Sequence, residues 1–131
     1  MGFGESAAME KRQRWEILFH RDFHEWFVKQ EKGLQRETWV LLDTMARAGP
    51  WMGRPYVDTI KGSSHPNMKE LRVQYKGKPW RMLFAFDPKR NAVMLVGGTK
   101  VGKEDWYDVN IPIADQRFSQ YLNSLKKPKK G

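Results

Sequence analysis

The chain contains no cysteine, which excludes disulfides and thiolate metal sites. Histidine is scarce: His20, His24 and His65 are the three present. His20 and His24 have the i, i+4 spacing of a helical metal pair, but the expected helix begins between them and no HExxH context surrounds them, so no metal is expected. No apolar run approaches the roughly 20 residues that span a bilayer. The first residues also lack the apolar core of a signal peptide. A soluble, cytoplasmic protein without a membrane partner is therefore expected. Acidic residues are also short, 15 against 24 lysines and arginines, for a net charge of +9. The tail KKPKKG (126–131) holds four of the lysines, and the rest of the chain keeps +5. A folded body with that excess suits a polyanionic partner: RNA, DNA or an acidic protein.

The chain has 131 residues, 40% hydrophobic and 13% aromatic, enough for one domain with a modest core. Residues 1–14 read as a loose extension, with Met9 a second candidate start, so that the first eight residues need not be native. Residues 15–125 form the domain and 126–131 a basic tail. WEILFH (15–20) reads as a strand. Asp22 then offers a helix cap ahead of the stripe Phe23, Trp26, Phe27. Gly33 is read as an interruption. A second helix from about Leu34 to Ala48 carries Leu34, Leu41, Leu42 and Met45 and stops at Gly49-Pro50.

The stretch 49–68, rich in Gly, Pro and Ser, reads as a long loop. MKELRVQYKGKPWRMLFAFD (68–87) reads as a β-hairpin. The unbroken apolar run Ala92 to Val96 marks a strand buried on both faces. GGTKVGKED (97–105) reads as a glycine-rich exit without a Walker pattern. A last helix is expected from near Asn110, with Pro112 in its first turn and Pro128 at its end. The expected order is β-α-α-β-β-β-α, an α+β domain with helices on one face of a small, mainly antiparallel sheet.

Alternation then sorts the hairpin residues. Leu71, Val73 and Tyr75 share one face, and Glu70, Arg72 and Gln74 the other; Trp80, Met82, Phe84 and Phe86 oppose Arg81, Leu83 and Ala85. A four-residue loop, Lys76 to Pro79, would pair Val73 with Met82 and Gln74 with Arg81, gathering both arginines on the open face. A one-residue slip would bury an arginine, so the facing is well specified. Lys100 ends the adjacent strand, Lys103, Trp106 and Tyr107 follow it, and His65 precedes the hairpin. Guanidinium forks suit phosphate oxygens and aromatic rings suit unpaired bases, so Arg72, Arg81, Lys100, Lys103 and Trp106 are the candidate contacts to single-stranded RNA. Arg72 also has a plainer role, pairing with Glu70 or Asp87 on a solvated face.

The run KGSSHPNMKELRVQYKGKPWRMLFAFDP, followed by GGTKVGKEDWYDVNIPIAD, resembles the HigB-like branch of the RelE/ParE toxin superfamily, including phage-derived relatives, over about residues 15–125. The resemblance implies a RelE-like fold and a metal-independent mRNA interferase of a type II toxin–antitoxin system. Such toxins cut mRNA in the ribosomal A site and are neutralised by a cognate antitoxin, often with a helix-turn-helix domain. The implied reaction is attack of a ribose 2′-OH on the adjacent phosphate, which needs a base, an acid and cations. Arg81 and Arg72 match basic strand positions of such toxins. Lys100 falls near a basic residue at the last strand's end, and Tyr107 or Trp106 near a C-terminal aromatic. His65 or Glu70 is the candidate base, with Lys100 a rival. Glu70 stands where some relatives have a lysine. Two other readings remain at this point: a non-catalytic basic module binding RNA or protein, and a ParE-like inhibitor of gyrase.

Overall fold

The computed structural model describes residues 14–126. Most of the expected N-terminal extension, and Pro128 as a helix stop, lie outside them; Arg14 is described, and pairs with Asp43 at 3.4 Å. Five strands and three helices follow in the order β1 (Glu16–Phe19), α1 (Arg21–Val28), α2 (Lys32–Ala48), β2 (Val57–Thr59), β3 (Met68–Tyr75), β4 (Lys78–Phe86), β5 (Asn91–Thr99) and α3 (Trp106–Lys126), with a 3₁₀ turn at Gly49–Trp51. The sheet order is β1-β5-β4-β3-β2, with β1 parallel to β5 and every other pair antiparallel. The α+β class is as expected, with one strand more. VDT within the long loop forms β2 on the outer edge of β3.

Several expected boundaries differ. His20, not Asp22, caps α1, its Nδ1 accepting the Asp22 N–H at 3.1 Å. Gly33 does not interrupt but lies in the first turn of α2, where a Cβ would collide with the Tyr75 ring. Gly97 and Gly98 are strand residues rather than a loose exit. A Cβ at Gly97 would strike the Trp26 indole on one face, and one at Gly98 would meet that of Trp106 on the other. The last helix starts at Trp106, four residues before Asn110, so Pro112 lies inside it and Lys126, assigned to the tail, is its last residue. Asn110 does not cap the helix; its side chain bonds the Trp106 carbonyl at 2.8 Å.

The hairpin turn is also tighter than expected. Lys76 and Gly77 have φ of 51° and 72°, the geometry of a two-residue turn whose twist suits the strands. The register moves by two residues: Tyr75 pairs with Lys78, Leu71 with Met82, and Arg72 with Arg81. A shift of two preserves every facing but sets the arginines directly opposite each other.

Helices cover both faces of the sheet, not one. On the first face, Phe23, Phe27, Leu34, Leu42 and Met45 of α1 and α2 pack on Leu71, Val73, Met82, Phe84 and Met94. On the second, Trp106, Ala114 and Phe118 of α3 pack on Met68, Leu83, Ala85, Val93, Leu95 and Val96. The apolar content of β4 and β5 accounts for this. Leu83, Ala85, Val93 and Leu95 would leave a second apolar face in water, and burying it drives α3 across. A bulge in β5 adjusts that face: Leu83 pairs with Val96 and Phe84 with Met94, so Leu95 is the extra residue. Leu95 and Val96 consequently both join the α3 side, and the alternation beyond them is reset.

Candidate active site

Arg72 and Arg81 lie on the part of the second face that the apolar core under α3 leaves uncovered. Two guanidinium groups on directly opposed residues repel, and Glu70 offsets this from between them. Glu70 is 4% exposed. Its Oε2 accepts from Arg72 Nε at 3.0 Å, with Arg72 Nη2 also at 3.0 Å. Its Oε1 accepts the Tyr107 hydroxyl at 2.5 Å and lies 3.6 Å from Arg81 Nε. That last contact is an ion pair too long for a hydrogen bond. Arg81 Nε therefore has no hydrogen-bond acceptor among the described residues, while Nη1 donates to the Trp80 carbonyl at 3.0 Å.

The early start of α3 places Tyr107 here. Lys100 and Lys103 form a turn, the Trp106 N–H bonds the Lys103 carbonyl at 3.2 Å, and the buried Trp106 anchors the first helical turn against Gly98. Tyr107 then reaches Glu70, and Lys100 lies over its ring with Nζ 5.0 Å from the centroid and 3.5 Å from the hydroxyl. Burial, followed by the hydrogen bond to Glu70 and its charge, raises the Tyr107 pKa above its usual 10, and Arg81 partly opposes this. The hydroxyl thus keeps its proton at neutral pH and donates it to Glu70.

Sequence reasoning missed an outer layer. Asp58 on β2 accepts from Arg72 Nη2 at 3.3 Å and from Arg54 Nε at 3.1 Å. The hydrogen bond from Arg54, then that from the Thr59 N–H, holds the Asp58 carboxyl below its ordinary range despite desolvation. Arg72 is thus held from both sides, by buried Glu70 and by the more exposed Asp58. The signal was the β-favouring run YVDTI (56–60) inside a segment dominated by turn residues.

The expected residues divide clearly. Arg72, Arg81, Glu70, Tyr107 and Lys100 come together. His65 does not: its Nε2 bonds Ser119 Oγ at 2.8 Å and its ring packs edge-on to Phe118. Ser119 is twelve residues beyond Tyr107 on α3, about 18 Å along the axis. Trp106 joins the core at 3% exposure, which leaves no free ring face for a base and corrects its assignment as a stacking platform. Lys103 is exposed at the rim of a separate cleft lined by Trp26, Trp80 and Asn110. Among the described residues, no group of three or more histidine or acidic side chains is placed to hold a metal ion, and no helix is long and apolar enough to cross a membrane.

Comparison with known proteins places these residues in a wider set. A family model described as Phage derived protein Gp49-like (DUF891) matches residues 25–119. Two relatives from Mycobacterium tuberculosis (strain ATCC 25618 / H37Rv), named "Putative toxin HigB2" and "Putative toxin HigB3", are each 45% identical, over 75% and 76% of this chain. The chain spans about half of the first, 53% of its length, and 86% of the second. Among solved structures, a free-state variant of the E. coli toxin RelE with two arginines changed to alanine superposes with a TM-score of 0.57. It shares 11% identity and covers 79% of this chain and 97% of its own, which establishes a common fold.

Proposed function

This chain belongs to the phage-derived Gp49-like family, in the HigB-like branch of the RelE/ParE superfamily, and on that premise we propose that it is the toxin of a type II toxin–antitoxin module that cleaves mRNA on the ribosome. The observation that carries the reading is the cluster of Arg72, Arg81 and Lys100 around the Tyr107–Glu70 pair. Cations held in place before substrate arrives stabilise the charge that develops on phosphorus without reorganising during reaction.

In the proposed reaction the ribose 2′-oxygen attacks phosphorus. Its proton passes to the Tyr107 oxygen as Tyr107 gives its own to Glu70. Arg72 and Arg81 hold the phosphorane oxygens. Lys100 protonates the departing 5′-oxygen, leaving a 2′,3′-cyclic phosphate and a 5′-hydroxyl. Glu70, too buried to touch the ribose itself, serves as the terminal acceptor and orients both arginines. The partner implied is a cognate antitoxin, and a helix-turn-helix protein encoded by a neighbouring gene is the expected form.

The test is to map RNA 3′ ends on translated mRNA after induction. New cyclic-phosphate ends within codons, absent with Arg81→Ala, are expected. Intact transcripts on programmed ribosomes exposed to the folded protein would sink the nuclease reading. Binding that weakens steeply with salt, without cleavage, would identify a non-catalytic RNA-binding module instead. DNA damage in place of cut transcripts would point to gyrase.

A further inference from the structure

β2 is three residues long and pairs only with Lys69, Glu70 and Leu71. One further bond, from the Arg72 N–H to the Tyr56 carbonyl at 2.7 Å, closes that edge. From Val73 onward the outer edge of β3 has no strand partner among the described residues. A groove of about 400 Å³ opens there. Tyr56 lines one wall and Val40 of α2 the other, Gln74 lies along its length, Arg72 and Arg81 line it, and Glu37 of α2 contributes the acidic group.

Two features of this groove call for an occupant. Val40 and Tyr56 are 64% and 50% exposed, an apolar pair left in water beside the candidate active site. The same two arginines belong both to the groove and to the Glu70 cluster, so whatever fills the groove is continuous with whatever meets the cluster.

We propose that this groove binds the nucleotide flanking the scissile phosphate, with the base against Tyr56 and its phosphate on the Arg72–Arg81 pair. The inference rests on the ribonuclease reading and adds a substrate subsite to it. Charge selects the orientation. The guanidinium pair takes the phosphate, while the Glu37 carboxylate repels a second phosphate and limits the groove to one nucleotide. The volume suits a base with its ribose and falls within the roughly 300–1,000 Å³ of small-ligand sites. A half-exposed phenol ring stacks on any base, since every base presents a π face. The exposed Gln74 amide both donates and accepts, so it reads the base edge and supplies what preference the subsite has.

The experiment measures binding of a labelled trinucleotide with 2′-deoxy sugars, which cannot be cut, by fluorescence anisotropy. Tyr56→Ala should bind about tenfold more weakly, Tyr56→Phe should stay within about twofold of the wild type because it keeps the stacking ring, and Gln74→Ala should level the preference among trinucleotides that differ in the flanking base. Thermal melting of each variant confirms the fold. Unchanged binding by Tyr56→Ala overturns the subsite, as does absence of binding by the wild type. Loss of a co-expressed antitoxin from Tyr56→Ala, with trinucleotide binding intact, also overturns it and makes the groove a protein-docking face. A wild type that binds the trinucleotide through Tyr56 yet cuts no mRNA upholds the groove and sinks the nuclease reading.

Discussion

Two buried carboxylates on this protein each accept a hydrogen bond from a tyrosine of α3, yet their surroundings differ in kind. Asp87, 5% exposed, accepts from Tyr121 at 2.6 Å, from Asn91 Nδ2 at 2.8 Å, and from the backbone N–H groups of Lys89 and Asn91 at 2.8 Å each. All four donors are neutral. Glu70 accepts from Tyr107 in the same way, but its other neighbours are Arg72 and Arg81, and Lys100 stands behind the tyrosine. The Asp87 pair satisfies every group it touches and ties the β4–β5 turn to the C-terminal half of α3. The Glu70 pair leaves positive charge unspent: Arg54, Arg72, Arg81 and Lys100 stand against Glu70 and Asp58. One motif serves as a staple where its donors are neutral and as a candidate active site where they are cations.

The comparison can be broken from either side. Asp87→Ala should have the largest effect. It strands two backbone N–H groups and the Tyr121 hydroxyl proton, and leaves the Asn91 amide only its 3.3 Å contact to the Tyr121 oxygen, at a cost of about 3 kcal/mol, read by urea denaturation, while cleavage per folded molecule stays intact. Arg81→Ala should do the reverse, lowering cleavage on programmed ribosomes about 100-fold with little change in melting temperature. Equal loss of stability in both variants would erase the distinction. Tyr121→Phe should cost about 1 kcal/mol, again without changing cleavage. Glu70→Gln keeps the shape but takes the charge from a buried carboxylate that faces two arginines, and should cost about 3 kcal/mol of stability. It also removes the proposed proton acceptor, so cleavage should fall; a full-rate Glu70→Gln enzyme would exclude the relay.

The smallest effects are in the pH dependence. Burial, then the hydrogen bond and charge of Asp87, pushes Tyr121 up to about 12 from 10.0. Between those values the folded state holds the proton that the unfolded chain has lost. Stability from this contact is therefore complete below pH 10 and declines as pH rises through 12. Tyr121→Phe should flatten that alkaline limb in urea titrations. For Asp87, burial acts upward, but hydrogen bonds from Tyr121, Asn91 and Lys89 outweigh it and leave the carboxyl below its ordinary 3.8. Its contribution is present above that value and is lost as pH falls through the lower folded value. An acid limb unchanged by Asp87→Ala would contradict this.

Much of this arrangement was legible before any coordinates. Alternation alone placed Arg72 and Arg81 on one face and Leu71, Val73 and Met82 on the other, because successive strand side chains must point opposite ways whatever the partner. The run Ala92 to Val96 announced a strand buried on both sides for the same local reason. The grouping of Glu70 with the arginines followed from parity. The two-residue error in hairpin register did not disturb any of this, since it left parity intact.

The remainder depended on contacts between distant parts of the chain. No local rule reveals that Leu95 is a bulge, yet that one extra residue resets the alternation ahead of Gly98 and Lys100. β2 was hidden because a three-residue strand carries little pattern of its own and forms by pairing with β3; Asp58 was hidden with it. His65 looked available beside the hairpin until Ser119, 54 residues away, and Phe118 drew it to the far half of α3. Trp106 looked like a free aromatic until Gly98 made room for its indole. The sequence by itself determined which residues share a face, because pleat and period are properties of the local backbone. Only the tertiary structure decided that α3 crosses to the second face and brings Tyr107 to Glu70, because burying that second apolar face is a gain the whole sheet must exist to offer.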